Sequence, residues 1–194
     1  MSDGPLTGVT VVDLTRVLAG PFSTMILADI GARVIKIERP GRGDDTRQFG
    51  PPFLKGRDGA DTAEAAYYLG ANRNKESLTL DLADPRGQQI VRDLVARADI
   101  LVENFKTGDL AKFGLSYDAL KADHPGLIYC SITGFGQTGP MAARAGYDFL
   151  VQAMGGLMSI TGNADEVPGG GPLRVGVPIS DLLTGMYATI AMLG

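Results

Sequence analysis

The sequence has 194 residues, 44% of them hydrophobic and 21% charged, with a formal net charge of −4. That is enough apolar chain for one ordinary core and argues against disorder, while the acidic balance argues against a general nucleic-acid binder and leaves room for a local basic pocket. A single cysteine, Cys130, and a single histidine, His124, exclude an intrachain disulfide and a Cys-rich zinc site and argue against a histidine-based triad or metal cluster.

In chain order, GVTVVDL (8–14) reads as a buried strand, short and β-branched. A helix is predicted from about Pro21 to Ile30, with proline in its first turn and Gly31 as its C-cap. RVIKIER (33–39) is a second strand whose apolar positions are Val34, Ile35 and Ile37. Strand, short helix, glycine turn and strand form a βαβ unit, which implies parallel pairing and a right-handed crossover. Residues 40–66 are rich in Gly, Pro, Asp and Arg and predict a long surface loop, functional or mobile.

SLTLDL (77–82) is the third strand, and Pro85 opens a helix to about Ala98 with Ile90, Val91, Leu94 and Val95 on one face. ILVEN (100–104) is the fourth strand, residues 109–122 hold one or two short helices, and LIYCSITGF (127–135) is the fifth strand, with Cys130 as a buried strand thiol. YDFLVQAMGGLMSITG (147–162) predicts a helix, and a Gly-rich loop then leads to an apolar helix after Asp181. That last helix ends without a polar tail or stop signal. Residues 182–193 are apolar on nearly every side, so they need burial all round by further chain or another subunit. The sequence therefore reads as a fragment of a longer protein, expected to associate and to lack activity by itself. No basic-then-apolar leader opens it and no apolar run reaches ~18 residues. The expectation is a soluble, cytoplasmic protein with no membrane partner.

The alternation predicts an α/β fold, Rossmann-like, with a mostly parallel sheet flanked by helices. Ligands bind such sheets outside the C-terminal strand ends, here residues 15–20, 39–43, 81–85, 104–108 and 134–139. The first strand is followed by TRVLAGP rather than GxGxxG, and no GxxxxGK[ST] occurs, which weakens a dinucleotide or nucleoside-triphosphate reading. Ala19-Gly20 allows either close ligand approach to the backbone or tight packing at a strand–helix corner. Arg39, at the end of the second strand, suits a phosphorylated ribose or is a solvated charge. Lys106 and Lys112 either add to a phosphate site or are ordinary surface. Asp181, between a Gly/Pro-rich stretch and a helix, is either a helix cap or a nucleophile.

In order, AGPFSTMILADIGARVIKIERPGRGDDTR (19–47), NRNKESLTLDL (72–82), ILVENF (100–105), SITGFGQTGP (131–140) and AGYDFLVQAMGGLMSITG (145–162) resemble the class III CoA-transferase family. The match runs in one register from about Leu6 to the end of the chain. It is nearest to the dicarboxylate type that uses succinyl-CoA, within a family that also holds formyl-CoA and carnitine CoA-transferases. The resemblance implies the N-terminal half of an interlocked-dimer fold: residues 1–194 would be the CoA-binding large domain, with a smaller C-terminal domain beyond them.

It also implies that Asp181, in ISDLLTGM, matches the family nucleophile. CoA contacts match Leu18, Ala19, Arg39, Leu80, Asp81, Leu82, Asn104, Phe105, Lys112 and Tyr147. Coenzyme A would be substrate and product rather than a prosthetic group. The partners would be acyl-CoA, small carboxylic acids and a second copy of the full-length chain. The family pattern is broken at Leu18, which replaces a glutamine, and at Ala83 and Ala145, which replace lysines. The glycine-rich loop that covers the family's active site lies further along the family chain than this sequence reaches.

Two alternatives stand beside transfer: an α-methylacyl-CoA racemase-like enzyme of the same family, and a non-catalytic CoA-binding fragment. Racemases place a histidine where Tyr147 stands. A phenol, ordinarily titrating near ~10, is a poor base at neutral pH, which favours transfer.

Overall fold

A computed structural model describes residues 4–194. Its main sheet is built from β1 (Thr10–Asp13), β2 (Arg33–Glu38), β5 (Lys75–Thr79), β6 (Ile100–Glu103) and β7 (Ile128–Ser131), all parallel, in the order β5-β2-β1-β6-β7. Between β2 and β5 lie a hairpin of β3 (Phe53–Lys55) and β4 (Asp61–Ala65) and the helix α2 (Ala66–Asn72). The remaining helices are α1 (Ala19–Asp29), α3 (Pro85–Val95), α4 (Tyr117–Leu120), α5 (Asp148–Met154) and α6 (Ile179–Leu193). Strand order reverses between β1 and β6, so the crevice for a ligand opens above the C-terminal ends of those two strands.

The β-branched strands alternate between two apolar layers because successive side chains point to opposite faces. Val12, Ile35, Ile37 and Leu101 meet Val91 and Val95 of α3 on one face. Val11, Val34, Ile100 and Val102 meet Leu27 and Ala28 of α1 and Met192 of α6 on the other. Leu101 and Leu27 are fully buried, and each contributes about 1.5–3 kcal/mol relative to an exposed side chain.

α6 runs alongside α1 because a glycine lets it. A Cβ on Gly185 would stand 2.6 Å from the Ala19 carbonyl oxygen, and one turn further on the Thr189 and Ser23 hydroxyls lie 3.0 Å apart. Met192, the next turn, reaches Leu27. The helices are therefore parallel, and Asp181, four residues before Gly185, stands roughly 6 Å beyond the start of α1. This puts it on the rim of the crevice.

Several boundaries differ from those read off the sequence. The span 40–66 is not a plain loop. Asp44 caps a 3-10 turn at Asp45–Gln48, the hairpin follows, and α2 begins at its end. Arg47 anchors this segment through Glu38 (2.7 Å), Glu64 (2.5 Å) and the Tyr68 hydroxyl (2.6 Å), contacts that local composition does not encode. The third strand is Lys75–Thr79 rather than 77–82, because pairing with β2 ends at Glu38 and frees Leu80–Leu82 to wall the crevice. The fifth stops at Ser131 instead of residue 135. The helix expected over 147–162 breaks at Gly155-Gly156, where Gly156 takes φ +80°, and resumes as a 3-10 turn.

α6 is apolar as expected, but this chain covers one face of it. Gly185, Thr189 and Met192 are buried, while Leu183, Met186, Tyr187 and Ile190 are exposed. Among the described residues, no helix is long and apolar enough to cross a membrane.

Candidate active site

The crevice floor is the loop from β1 to α1, and buried charges shape it. Asp13, at the end of β1, is wholly buried and accepts bonds from the Thr15 amide (2.8 Å) and the hydroxyls of Thr15 (2.5 Å) and Thr24 (2.6 Å). Its second oxygen lies 3.1 Å from the Lys75 ammonium. Burial works to raise the Asp13 carboxyl, but Lys75, Lys36 and the two hydroxyls hold it well below the usual carboxylate range. Burial in turn pulls Lys75 down to about 8 against the pull of Asp13. Lys36, also buried, donates to the Thr15 carbonyl (2.9 Å) and stands 2.9 Å from Asp44.

The next residues are clamped from both sides. The Asn104 amide accepts from the Arg16 N–H (2.9 Å) and donates to the Arg16 carbonyl (2.7 Å). Val17, held by Asp44 (3.2 Å), takes φ +70°, where a β-branched residue costs about 1–3 kcal/mol. Backbone strain held by two separate clamps marks the turn as built for its geometry.

Beside this loop lies a cavity of about 320 Å³. Arg39, Leu80, Asp81, Leu82, Phe105 and Lys112, six of the ten residues matched to CoA contacts, line it together. They arrive from the ends of β2, β5 and β6 and from the turn after β6. The cavity is charged but internally balanced: Asp45 takes Arg39 (2.7 Å), Arg16 (3.4 Å) and Arg42 (3.6 Å), and Lys112 pairs with Asp109 (3.2 Å). Arg16, Lys36, Arg39 and Lys112 face Glu38, Asp44, Asp81 and Asp109 in the lining, so its formal charges cancel. Leu80, Leu82, Phe105 and Phe113 supply the apolar wall a flat ring needs.

The other four lie outside that lining. Asn104 has both amide groups committed to Arg16. Leu18 is buried and Ala19 opens α1, so both stand between the cavity and α6. Tyr147 is exposed at the start of α5, next to the residue that holds α6. Lys106 is not part of the cavity lining.

Asp181 does not cap its helix. α6 begins at Ile179, so Asp181 lies in the first turn, and no side chain of the α6 N-cap position makes the bond. Asp148 of α5 does so instead, accepting from the amides of Ser180 (2.8 Å) and Asp181 (3.4 Å). The Asp181 carboxylate is half-buried and has no hydrogen-bond partner among the described residues. Burial, then the charge of Asp148, pushes it up to about 6. Tyr67 of α2 shares this field: burial first, then Asp181, Asp148 and Asp44, push its phenol up.

Asp148, Tyr67 and the Asp13–Lys75 pair stand in or beside the candidate site, and no sequence motif singles them out. Lys36 carried the one local signal, a charge inside an otherwise apolar strand. Nothing local ties Asp148 to a helix more than thirty residues away.

The fold is thus a parallel α/β sheet with a charged, partly apolar cavity where its strand order reverses and a half-buried carboxylate at the start of α6. The chain belongs to CoA-transferase family III, whose model matches residues 6–194. It is 53% identical over 188 residues to a succinate–glutarate CoA-transferase of Agrobacterium fabrum, covering 97% of this chain and 46% of that protein. With the mouse succinyl-CoA:glutarate CoA-transferase it shares 54% identity over 184 residues, 95% of this chain and 40% of that protein. The crystal structure of a CAIB/BAIF family protein from Brucella suis superposes with a TM-score of 0.91 at 51% identity, covering 99% of this chain and 49% of that one. The chain thus spans a little under half the length of these relatives.

Proposed function

We propose that this chain is the CoA-binding, nucleophile-bearing part of a CoA-transferase that exchanges CoA between succinyl-CoA and a dicarboxylic acid such as glutarate. The observation that carries the reading is the convergence of Arg39, Leu80, Asp81, Leu82, Phe105 and Lys112 on one cavity, joined by the Thr15–Ala19 turn to the rim where Asp181 stands. The cavity suits the nucleotide end of CoA, and the rim suits its thioester. The dicarboxylate choice rests on the substrates named for the similar transferases. A smaller domain and a second subunit would cover the open apolar face of α6.

An Asp181 oxygen attacks the thioester carbonyl, the C–S bond breaks, and CoA thiolate leaves a mixed anhydride. The thiolate then attacks the aspartyl carbonyl, freeing succinate and leaving an aspartyl–CoA thioester. The acceptor carboxylate attacks that thioester, and the released thiolate takes the acceptor's acyl group from the second anhydride, restoring Asp181. Charges balance at each step, so no general base is required. A carboxylate pushed up to about 6 is more basic than an ordinary aspartate yet mostly ionised at neutral pH.

The intact protein, given succinyl-CoA and glutarate, is expected to form glutaryl-CoA and succinate in equal amounts. Exchange with monocarboxylates only would remove the dicarboxylate reading, and no exchange with any carboxylate would remove transfer.

Arg39→Ala is expected to weaken CoA binding by about 1.5–3 kcal/mol, the scale of a hydrogen bond to a charged group. Calorimetry with CoA and dephospho-CoA locates the contact. A smaller loss with dephospho-CoA assigns Arg39 to the ribose phosphate, and equal losses move it to the pyrophosphate or to holding Asp45.

A further inference from the structure

We propose that Asp148 is a positioning residue for Asp181: from α5 it holds the first turn of α6 and presents its negative charge to the neighbouring carboxylate. The proposal rests on Asp181 being the nucleophile.

The backbone accounting of α6 leaves room for one outside acceptor. The Ile179 N–H donates to the Val177 carbonyl (2.8 Å) and the Leu182 N–H to the Pro178 carbonyl (3.0 Å). The two amides between them, those of Ser180 and Asp181, both point to the same oxygen of Asp148. A residue from another helix thus does what an N-cap side chain would ordinarily do, because Pro178 at the N-cap has no side-chain acceptor.

Asp148 is held in turn. Its other oxygen accepts from the Gln152 amide nitrogen (2.7 Å), and the Gln152 oxygen accepts from the Val175 N–H (2.8 Å). Gln152 is 1% exposed, and turning its amide over would set oxygen against carboxylate and NH₂ against N–H, so its orientation is determined. The chain Val175–Gln152–Asp148–α6 fixes both the segment entering α6 and the helix's first turn.

The electrostatic consequence follows from who occupies the donors. An aspartate in a first turn is normally eased by free N–H groups and the positive helix end. Here Asp148 takes those N–H groups, and Asp181 is left half-buried beside a like charge. Two carboxylates thereby receive two roles, one hydrogen-bonded and structural, the other unsatisfied and reactive. The titratable groups facing Asp181 are Asp148 on α5 and the Tyr67 phenol on α2. The first turn of α1 has no charged residue, and α6 has no charge other than Asp181.

The test is the pH profile of kcat/KM in the intact protein, with the Asp181 adduct trapped by hydroxylamine in parallel. The wild type should lose activity as pH falls through about 6, where Asp181 takes up a proton. Asp148→Asn keeps a carbonyl acceptor for Ser180 and removes the charge, while setting its NH₂ against that of Gln152. It should move that acid limb down by ~0.5 unit or more and lower kcat at neutral pH by about two- to three-fold, with KM for the acyl-CoA unchanged within about two-fold. Asp148→Glu, which keeps the charge, should leave the limb in place. If Asp148→Asn does not fold, Asp148→Gln, compared with Asp148→Glu of the same length, supplies a neutral carbonyl acceptor and the same reading. A neutral variant that forms the trapped adduct with an unmoved acid limb overturns the positioning role alone. Absence of any adduct at Asp181 in the wild type overturns the nucleophile reading and this proposal with it.

Discussion

Asp181→Ala is expected to abolish CoA transfer, lowering kcat by about 10⁴-fold or more, the scale seen when a nucleophile or its partner is deleted. Affinity for CoA should stay within a few-fold, because the cavity that would hold the nucleotide is lined from the ends of β2, β5 and β6 and does not include α6. The helix should survive the change, since its first-turn amides are capped by Asp148 and not by Asp181. Asp181→Asn, which keeps the shape and loses the charge, should be equally inactive. Hydroxylamine added during turnover should convert the activated aspartyl group into a hydroxamate on the peptide containing Asp181, in the wild type only. A variant with near-normal turnover, or a label on another residue, would remove Asp181 from the chemistry.

Asp13→Ala is expected to destabilise the fold by about 3–5 kcal/mol at neutral pH, the range for removing one partner of a buried ion pair. Such a change leaves the Lys75 ammonium, which is 2% exposed, without its carboxylate and strips an acceptor from Thr15 and Thr24. With a native stability of ordinary size this is a large fraction of the whole. The pH dependence gives the prediction its sign. In the wild type, Asp13 titrates below its unfolded value, so its contribution is complete above about 3.9 and is lost as pH falls toward the folded value. In the variant Lys75 loses the upward pull of Asp13 and titrates lower than the wild type's value of about 8, so the deficit should shrink as pH rises toward 8 and level off above it. Urea unfolding of wild type, Asp13→Ala and Asp13→Asn at neutral and alkaline pH measures both effects. A deficit under about 1 kcal/mol, the scale of an exposed pair, would mean that the network is solvated.

These two residues differ in how far the sequence announces them. Asp181 is visible because it stands between a Gly/Pro-rich stretch and an apolar run, within a pattern shared by a family. Its local sequence fits either a cap or a nucleophile, and only the structure removes the cap, since a helix start cannot be located to the residue from composition alone. Asp13 closes a β-branched strand and looks like any polar strand end. Its counter-charge comes from Lys75, sixty-two residues later and on a strand not adjacent to its own. Arg39 and Lys112 were each read as either ligand contacts or surface charges. The fold brings them to one cavity, and it also supplies Asp45 and Asp109 as the counter-charges that no spacing rule links to them.

What the sequence determined by itself is the part governed by short-range periodicity. The buried β-branched runs at Val11–Val12, Val34–Ile37 and Ile100–Val102, the helices between them and the parallel crossovers follow from side-chain alternation and chain handedness. The tertiary structure decided what depends on residues far apart in the chain. It folded residues 40–66 around Arg47, gave the α6 cap to Asp148, and pushed the Asp181 carboxyl up through burial and a neighbour on another helix. Those are properties of water exclusion and distance, which exist only once separate elements have packed against one another.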